Sequence, residues 1–211
     1  MSQRQYLKDI AYEKIKYMVI QGEIKGPTVS ENELVELLQM SRTPIREALQ
    51  RLHNEDFLEV SPKRGIFLKE ITVKETHDIM DMRLAIELYA LERVEPFFRE
   101  EHLAFLDEKI KEQEEYLSQN DIFKFIQLDL EYHALFLRVF DNEFFVKTLN
   151  NISDRLYQTA MIRFGRDISR AWDSIEDHKQ INALLREEKF QEVRDLMEKH
   201  ILKGKEQFFS H

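Results

Sequence analysis

The chain has 211 residues, 43% of them hydrophobic, and it contains no cysteine. Disulfides and thiolate chemistry are therefore excluded, and any bound metal must be held by nitrogen and oxygen atoms. The sequence has no run of about 18 apolar residues and no basic and apolar leader, so we expect a cytoplasmic protein that does not enter a membrane.

The net charge of −9 is distributed unevenly along the chain. Residues 1–75 carry twelve basic and twelve acidic side chains, so all of the excess acid lies downstream. The length is sufficient for two modest hydrophobic cores, and we expect two domains, residues 1–72 and 73–211. Any affinity of the first domain for nucleic acid must then come from a few well-placed cations.

The first predicted element is an amphipathic helix near residues 7–20, which ends before Gly22 and the Gly26-Pro27 pair. A second, short helix follows Ser30, which we expect to cap it, with Glu33 completing a capping box. A tight turn separates the second helix from a third one. The first helix is expected to act as the scaffold of this domain.

The third predicted helix spans residues 41–52 and carries the first functional pattern. Ser41 is expected to cap it, and Ile45, Ala48, Leu49 and Leu52 recur with helical spacing, so one face is buried. The helix start is cationic, and guanidinium groups there suit phosphate oxygens and guanine edges in a major groove. Two short helices in this arrangement form a helix-turn-helix.

A small hairpin is predicted after the helix-turn-helix, from apolar runs at residues 57–60 and 66–68. Its tip places two cations beside a glycine that allows close backbone approach to DNA, as in a wing. The residues of the helix start and the wing tip that we expect to contact DNA are Ser41, Arg42, Thr43, Arg46, Lys63, Arg64 and Gly65.

The stretch Ser-Arg-Thr-Pro-Ile-Arg-Glu-Ala-Leu at residues 41–49, followed by Arg64-Gly65-Ile66, closely resembles the winged helix-turn-helix of the GntR family of bacterial transcription regulators. The resemblance implies that the matching arginines, the hydroxyl residue Thr43 and the wing-tip region contact operator DNA. The chain departs from the family pattern at Asn32, where many members carry an arginine.

From residue 73 onwards the sequence predicts helices and no strand. Helical apolar periodicity dominates, with breaks at Pro96, 118–121, 141–142, Gly165 and 187–188. The predicted fold class is mainly α: a winged helix-turn-helix followed by an antiparallel all-helical bundle of about six helices.

Four side chains of the predicted bundle have the chemistry of a metal site. Asp129 and His133 are spaced i and i+4, which places a carboxylate and an imidazole on one helix face. His178 and His200 lie on two helices that a turn near residues 187–189 folds into a hairpin, at similar heights. One carboxylate and three imidazoles suit zinc most of all, with nickel, manganese or iron as alternatives.

The second part of the chain resembles the FCD domain, the helical effector domain of a large FadR-like GntR subfamily. The resemblance rests on Asp-x-x-x-His at 129–133, His178 and the late Met-Glu-Lys-His ending at His200. It implies that these four residues bind a divalent metal and that a small carboxylate effector binds beside it. By the same resemblance Arg83 faces the effector, although a salt bridge from Arg83 to Glu87 is the alternative.

These patterns together predict a homodimeric, metal-containing transcription regulator. We expect it to bind operator DNA as a repressor and to respond to a small organic acid. Two alternatives stay open at this stage. A metal-dependent enzyme would use the same aspartate and histidines, but no general base is evident at a suitable spacing. A constitutive DNA-binding dimer would use the bundle for dimerisation alone.

Overall fold

The computed structural model describes residues 3–24, 26–61, 65–69 and 71–209. The chain divides into two compact units, Met1–Glu70 and Ile71–His211. Each unit has its own hydrophobic core, and each is described separately below.

The first unit consists of three helices and a small antiparallel sheet. The helices are α1 (Gln3–Ile20), α2 (Glu31–Leu38) and α3 (Arg42–Asn54). The strands are β1 (Thr28–Val29), β2 (Leu58–Ser61) and β3 (Gly65–Leu68), in the order β1-β3-β2. The predicted hairpin is therefore present, with Val60 opposite Ile66. Strand β1 was not predicted, because its two residues are too few to show an alternating pattern.

The core of the first unit explains why α3 has a fixed orientation. Ile45 and Leu52 of α3 are fully buried against Ile15 of α1, Leu34 of α2 and Leu58 of β2, among others. These apolar residues recur at helical spacing, so burying them leaves the opposite face of α3 in solvent. The predicted cap of α2 also forms, since the Glu33 amide donates to the Ser30 hydroxyl at 3.2 Å.

The second unit is all-helical within the described residues, as predicted. Its α-helices are α4 (Val73–Leu91), α5 (Glu100–Ser118), α6 (Ile122–Phe140), α7 (Glu143–Arg166), α8 (Ser169–Arg186) and α9 (Phe190–Phe209), with a 3-10 turn at Glu95–Phe97. Helix α6 packs against α5, α7 and α4, while α9 packs against α4 and α8. The fold class predicted from the sequence is confirmed.

Several helices of the second unit end on a left-handed residue that is not glycine. Asn120, Asp141 and Glu188 have φ values of 60°, 57° and 56°, and they lie at the ends of α5, α6 and α8. A residue in this conformation reverses the chain direction after a helix. The connection at Glu188 places α8 beside α9, and the side chains of the candidate metal site project from α6, α8 and α9.

Candidate functional sites

The start of α3 presents a polar, cationic tip to solvent. Ser41, Arg42, Thr43 and Arg46 are all exposed, whereas the apolar residues of the helix are buried in the core. The side chains of Arg42 and Arg46 are 62% and 65% exposed. This is the arrangement that the sequence predicted, and it leaves both guanidinium groups accessible to a nucleic-acid backbone or a base edge.

Ser41 occupies the N-cap position of α3 but its hydroxyl makes no capping hydrogen bond, so that part of the prediction was wrong. Its backbone has the extended conformation of a cap, with φ −68° and ψ 160°. A cap side chain accepts from the second or third helical amide, and the third helical residue here is Pro44, which has no amide hydrogen. The Ser41 hydroxyl is thus not used in stabilising its own helix.

Both arginines of the α3 tip contact polar side chains of α2, which the sequence analysis did not foresee. Arg46 Nε donates to Glu31 Oε2 at 2.8 Å, and Arg42 Nη2 donates to Asn32 Oδ1 at 3.1 Å. The hydrogen bond to Glu31 raises the pKa of Arg46, so the guanidinium stays charged. Glu31 therefore holds the cation in place and also competes with any phosphate for it.

The wing is described only in part. Gly65 begins β3 with φ +97°, a left-handed conformation that strains any residue with a Cβ atom. Lys63 and Arg64, the predicted cations of the wing tip, lie outside the described residues. The prediction that they contact DNA stays a prediction.

The four predicted metal ligands converge in the interior of the second unit. Asp129 and His133 project from α6, His178 from α8 and His200 from α9, and each side chain is at least nine-tenths buried. One ligand atom from each residue can be chosen so that all four atoms lie within 4.8 Å of one another. The Nε2 atoms of His133 and His178 are 3.3 Å apart. This cluster could hold a metal ion.

Each histidine of the cluster has an oxygen partner on its other ring nitrogen. With the Nδ1 hydrogens assigned as donors, His133 donates to Glu87 Oε2 at 2.7 Å and His178 to Gln113 Oε1 at 3.3 Å. His200 donates to Asp177 Oδ2 at 3.1 Å. Metal-binding histidines characteristically donate their second N–H in this way, which fixes the tautomer and directs Nε2 at the ion.

The electrostatics of the cluster favour neutral imidazoles. Burial, reinforced by neighbouring cationic groups, holds the pKa of His133 and of His178 well below the ordinary histidine value. With hydrogens on Nδ1, the two Nε2 atoms direct lone pairs at each other across 3.3 Å. A cation between them would relieve that repulsion, and metal binding requires deprotonated ligands of this kind.

Arg83 lies in the interior on α4, where it is paired with a carboxylate. Its Nε donates to Glu87 Oε1 at 2.7 Å, and the second oxygen of Glu87 accepts from His133. Burial raises the pKa of Glu87, and the guanidinium opposes that rise. Within the described residues Arg83 Nη2 has no hydrogen-bond partner. The salt bridge considered from the sequence therefore forms, and Nη2 of Arg83 is left without a partner among those residues.

Sequence reasoning missed most of the groups that orient the ligands. Tyr132 stacks on the His178 ring at 4.0 Å, and its hydroxyl donates to Asn182 Oδ1 at 2.8 Å. Glu87 carried a signal, since it is four residues after Arg83, but its bond to His133 joins two different helices. Gln113 and Asp177 showed no pattern in the sequence, because their roles depend on how α5, α8 and α9 pack.

A winged helix-turn-helix with a cationic tip, joined to a separate helical domain, is the construction of a DNA-binding transcription regulator. Residues 7–68 match the family described as bacterial regulatory proteins, gntR family, and residues 78–203 match the FCD domain. The chain belongs to the GntR family of bacterial transcription regulators and carries an FCD domain.

Relatives with assigned roles support the same placement. The Nta operon transcriptional regulator of Aminobacter aminovorans is 31% identical over 182 residues, which is 84% of this chain and 82% of that protein. The gluconate operon transcriptional repressor of Bacillus licheniformis is 24% identical and covers 77% of this chain and 67% of its own. These relatives are transcription regulators and not enzymes.

A solved structure shows the same fold over nearly the whole length. It is described as a GntR transcriptional regulator from Rhodococcus sp. RHA1, with a TM-score of 0.79 and 16% identity, covering 99% of this chain and 98% of that one. Among the described residues, no helix is both long and apolar enough to span a membrane.

Proposed function

We propose that the protein is a homodimeric repressor that contains a divalent metal and whose affinity for operator DNA changes when a small organic acid binds beside that metal. The observation that carries the proposal is the buried cluster of Asp129, His133, His178 and His200, with the second nitrogen of each imidazole tied to an oxygen. A structural core would not need three histidines aimed at one point.

The spacing of the cluster supports zinc as the resident ion. Two zinc–nitrogen bonds of about 2.0–2.1 Å at a tetrahedral angle separate their nitrogens by about 3.3 Å. That is the separation of the His133 and His178 Nε2 atoms. Nickel, manganese or iron would use the same nitrogen and oxygen donors, and availability in the cell decides among them.

DNA binding is assigned to the exposed tip of α3 and to the wing. Arg42 and Arg46 would contact phosphates or guanine edges, Ser41 and Thr43 would add hydroxyl contacts, and Lys63, Arg64 and Gly65 would reach the DNA from the wing. Two copies in a dimer would place their α3 helices in half-sites one DNA turn, about 34–36 Å, apart. Repression fits the gluconate operon repressor among the relatives, and the site of action is the bacterial cytoplasm, where the DNA lies.

The proposed metal-binding side chains come from different helices, which offers a route by which the effector controls DNA affinity. Asp129 and His133, His178 and His200 belong to three different helices, so an acid that alters their mutual spacing alters the packing of α6, α8 and α9. The metal, when bound, supplies a Lewis-acidic centre that attracts a carboxylate. Such a ligand can shift DNA affinity only through different affinities for the two packing arrangements.

The proposed DNA contacts of α3 are tested by measuring DNA binding by variants of the protein. Full-length protein would be used to select fragments from a random duplex library, and affinity for the selected fragment would be followed by fluorescence anisotropy. We expect Arg46→Ala to weaken binding roughly tenfold or more, while Lys14→Ala, which removes an exposed cation on α1, leaves it nearly unchanged. Equal loss in both variants would contradict the assignment of α3.

The same assay separates an effector-controlled repressor from a constitutive DNA-binding dimer. His178→Ala is expected to retain DNA binding in one state and to lose the response to metal and to added organic acids. Wild-type affinity that ignores zinc, chelator and every acid tested would favour the constitutive alternative.

A further inference from the structure

Arg163 is a buried cation that has no carboxylate in direct contact among the described residues, although Asp129 and Asp177 act on its charge from a distance. Its residue surface is 9% exposed, and its Nε donates to the neutral side-chain amide of Gln207 at 3.0 Å. Its guanidinium carbon lies 4.6 Å from the centre of the Phe164 ring. Burial lowers the pKa of Arg163 to about 10, and the carboxylate of Asp129 opposes that fall. A lone buried charge is costly unless something pairs with it.

The guanidinium lies close to the metal-ligand cluster. A Cβ atom on Gly204 of α9 would be 2.9 Å from Arg163 Nη1 and 3.8 Å from Met80 of α4. Gly204 is one helical turn, about 5–6 Å, beyond the ligand His200 on the same helix. Met80 is three residues before Arg83 on α4. The lack of a side chain at 204 is what allows the charged group to occupy this position.

Neighbouring polar groups are also without partners. The hydroxyl of Thr159, four residues before Arg163 on α7, is buried and has no hydrogen-bond partner within the described residues. The same is true of Arg83 Nη2. Residues spaced i and i+4 share a helix face, so the hydroxyl and the guanidinium of α7 lie on one side of that helix. Buried donors without a protein partner require a water molecule or a ligand to accept their hydrogen bonds.

The formal charges of the buried side chains indicate what charge the ligand should carry. Among the described residues that are nine-tenths buried, Arg83 and Arg163 balance Asp129 and Glu87. The half-buried Asp177 is paired with His200 and with Lys203 at 3.5 Å, so it adds no unpaired charge. A divalent ion held by neutral imidazoles therefore raises the interior to a net charge of plus two. A dianion would restore neutrality.

We propose that the effector is a short dicarboxylate, with one carboxylate at the metal and the other held by the guanidinium of Arg163 and the hydroxyl of Thr159. This inference rests on the proposed function and adds to it the charge and the two-ended shape of the ligand. The metal ligands lie on α6, α8 and α9 and Arg163 lies on α7, so a ligand with two separated carboxylates has a different partner for each end. A single phosphate group lacks the second, separate anionic end.

The experiment compares acids of equal length and different charge. Zinc-loaded full-length protein would be titrated with succinate and with glutarate, each against its monoamide, succinamate or glutaramate, by thermal shift and calorimetry. We expect at least one diacid to bind tenfold or more tightly than its monoamide and than inorganic phosphate. Equal binding of diacid and monoamide, equal binding of phosphate, or no binding by either diacid would overturn the proposal.

Two variants locate the second carboxylate. Arg163→Met keeps the packing of the side-chain stem and is expected to abolish the preference for the diacid, so that diacid and monoamide bind equally weakly. Thr159→Val replaces the hydroxyl by a methyl group and keeps the size and shape of the side chain. This variant is expected to weaken diacid binding severalfold with less effect on the monoamide. A preference for the diacid that survives both changes would overturn the assignment to Arg163.

The metal titration keeps this inference separate from the proposed function. Stabilisation by zinc alone, measured in the same plates without acid, reports on the metal site. If zinc stabilises the protein and the diacids do not discriminate, only the dicarboxylate inference is wrong. If zinc has no effect either, the proposed metal site is wrong as well.

Discussion

Glu31 has two opposed effects on the arginines of α3. It accepts a hydrogen bond from Arg46 at 2.8 Å and lies 4.0 Å from Arg42, so it orients both cations before DNA arrives. Its charge also repels phosphate, and phosphate must displace it from Arg46. Since exposed ion pairs contribute little to stability, the competition with phosphate should outweigh the loss of orientation.

We therefore expect Glu31→Gln to tighten DNA binding about two- to fivefold at low salt, with a smaller gain at high salt. Fluorescence anisotropy across a salt series measures this. Glu36→Gln is the matched control, because it removes the same charge from an exposed position of the same helix. If both variants gain equally, net charge alone explains the effect and Glu31 has no specific role.

Single residues differ in how far the sequence could identify their roles. Arg42, Thr43 and Arg46 could be identified because their exposure follows from the apolar spacing of one helix. Asp129 and His133 could be paired by their i and i+4 spacing. Arg163 could not be found, because its lack of a carboxylate partner depends on the packing of α7 against α9, and a basic residue on a helix ordinarily faces solvent.

Glu87 links two helices of the second unit at the candidate metal site. This carboxylate is 1% exposed and links Arg83 on α4 to His133 on α6 through its two oxygens. A glutamine at this position has one acceptor oxygen in place of two, so one of the two contacts must be lost. The ring of His133 would then be held less firmly in its metal-binding orientation.

We expect Glu87→Gln to lower zinc affinity about 10- to 100-fold, as loss of a partner of a metal-binding histidine does. Competition for zinc against a chromophoric chelator measures the affinity. Glu115→Gln, a change at an exposed residue of α5, is the control and should leave the affinity unchanged. An unaltered affinity in the Glu87 variant would show that this carboxylate does not orient the ligand.

Elements were predictable where a strong period or a clear breaker set them. The six long helices of the second unit show apolar periodicity, and most of the predicted breaks fall between helices. Strand β1 was missed because its two residues gain their structure only from pairing with Phe67 and Ile66 of β3. The cap at Ser41 was wrong, since its hydroxyl makes no capping hydrogen bond, and Pro44 removes one of the two amides from which it could have accepted.

The whole molecule combines a DNA-binding unit that carries no excess positive charge with an acidic helical unit. Residues 1–75 have equal numbers of basic and acidic side chains, and the net charge of −9 belongs to the remainder. Without excess positive charge, we expect weak non-specific attraction to DNA and binding that depends on a few placed cations and, in the proposed dimer, on two copies. In the proposed dimer, DNA binding would then be sensitive to any change in the second unit that alters the pairing of half-sites.

The central claim is that the buried aspartate and histidines hold a metal ion, and its most direct test is the metal content of the protein. The protein would be purified without an affinity tag or added metal and analysed by mass spectrometry beside the Asp129→Ala, His133→Ala double variant. We expect close to one divalent ion per wild-type chain and its loss in the double variant. Absence of metal from the wild type, or the same content in both proteins, would contradict the account.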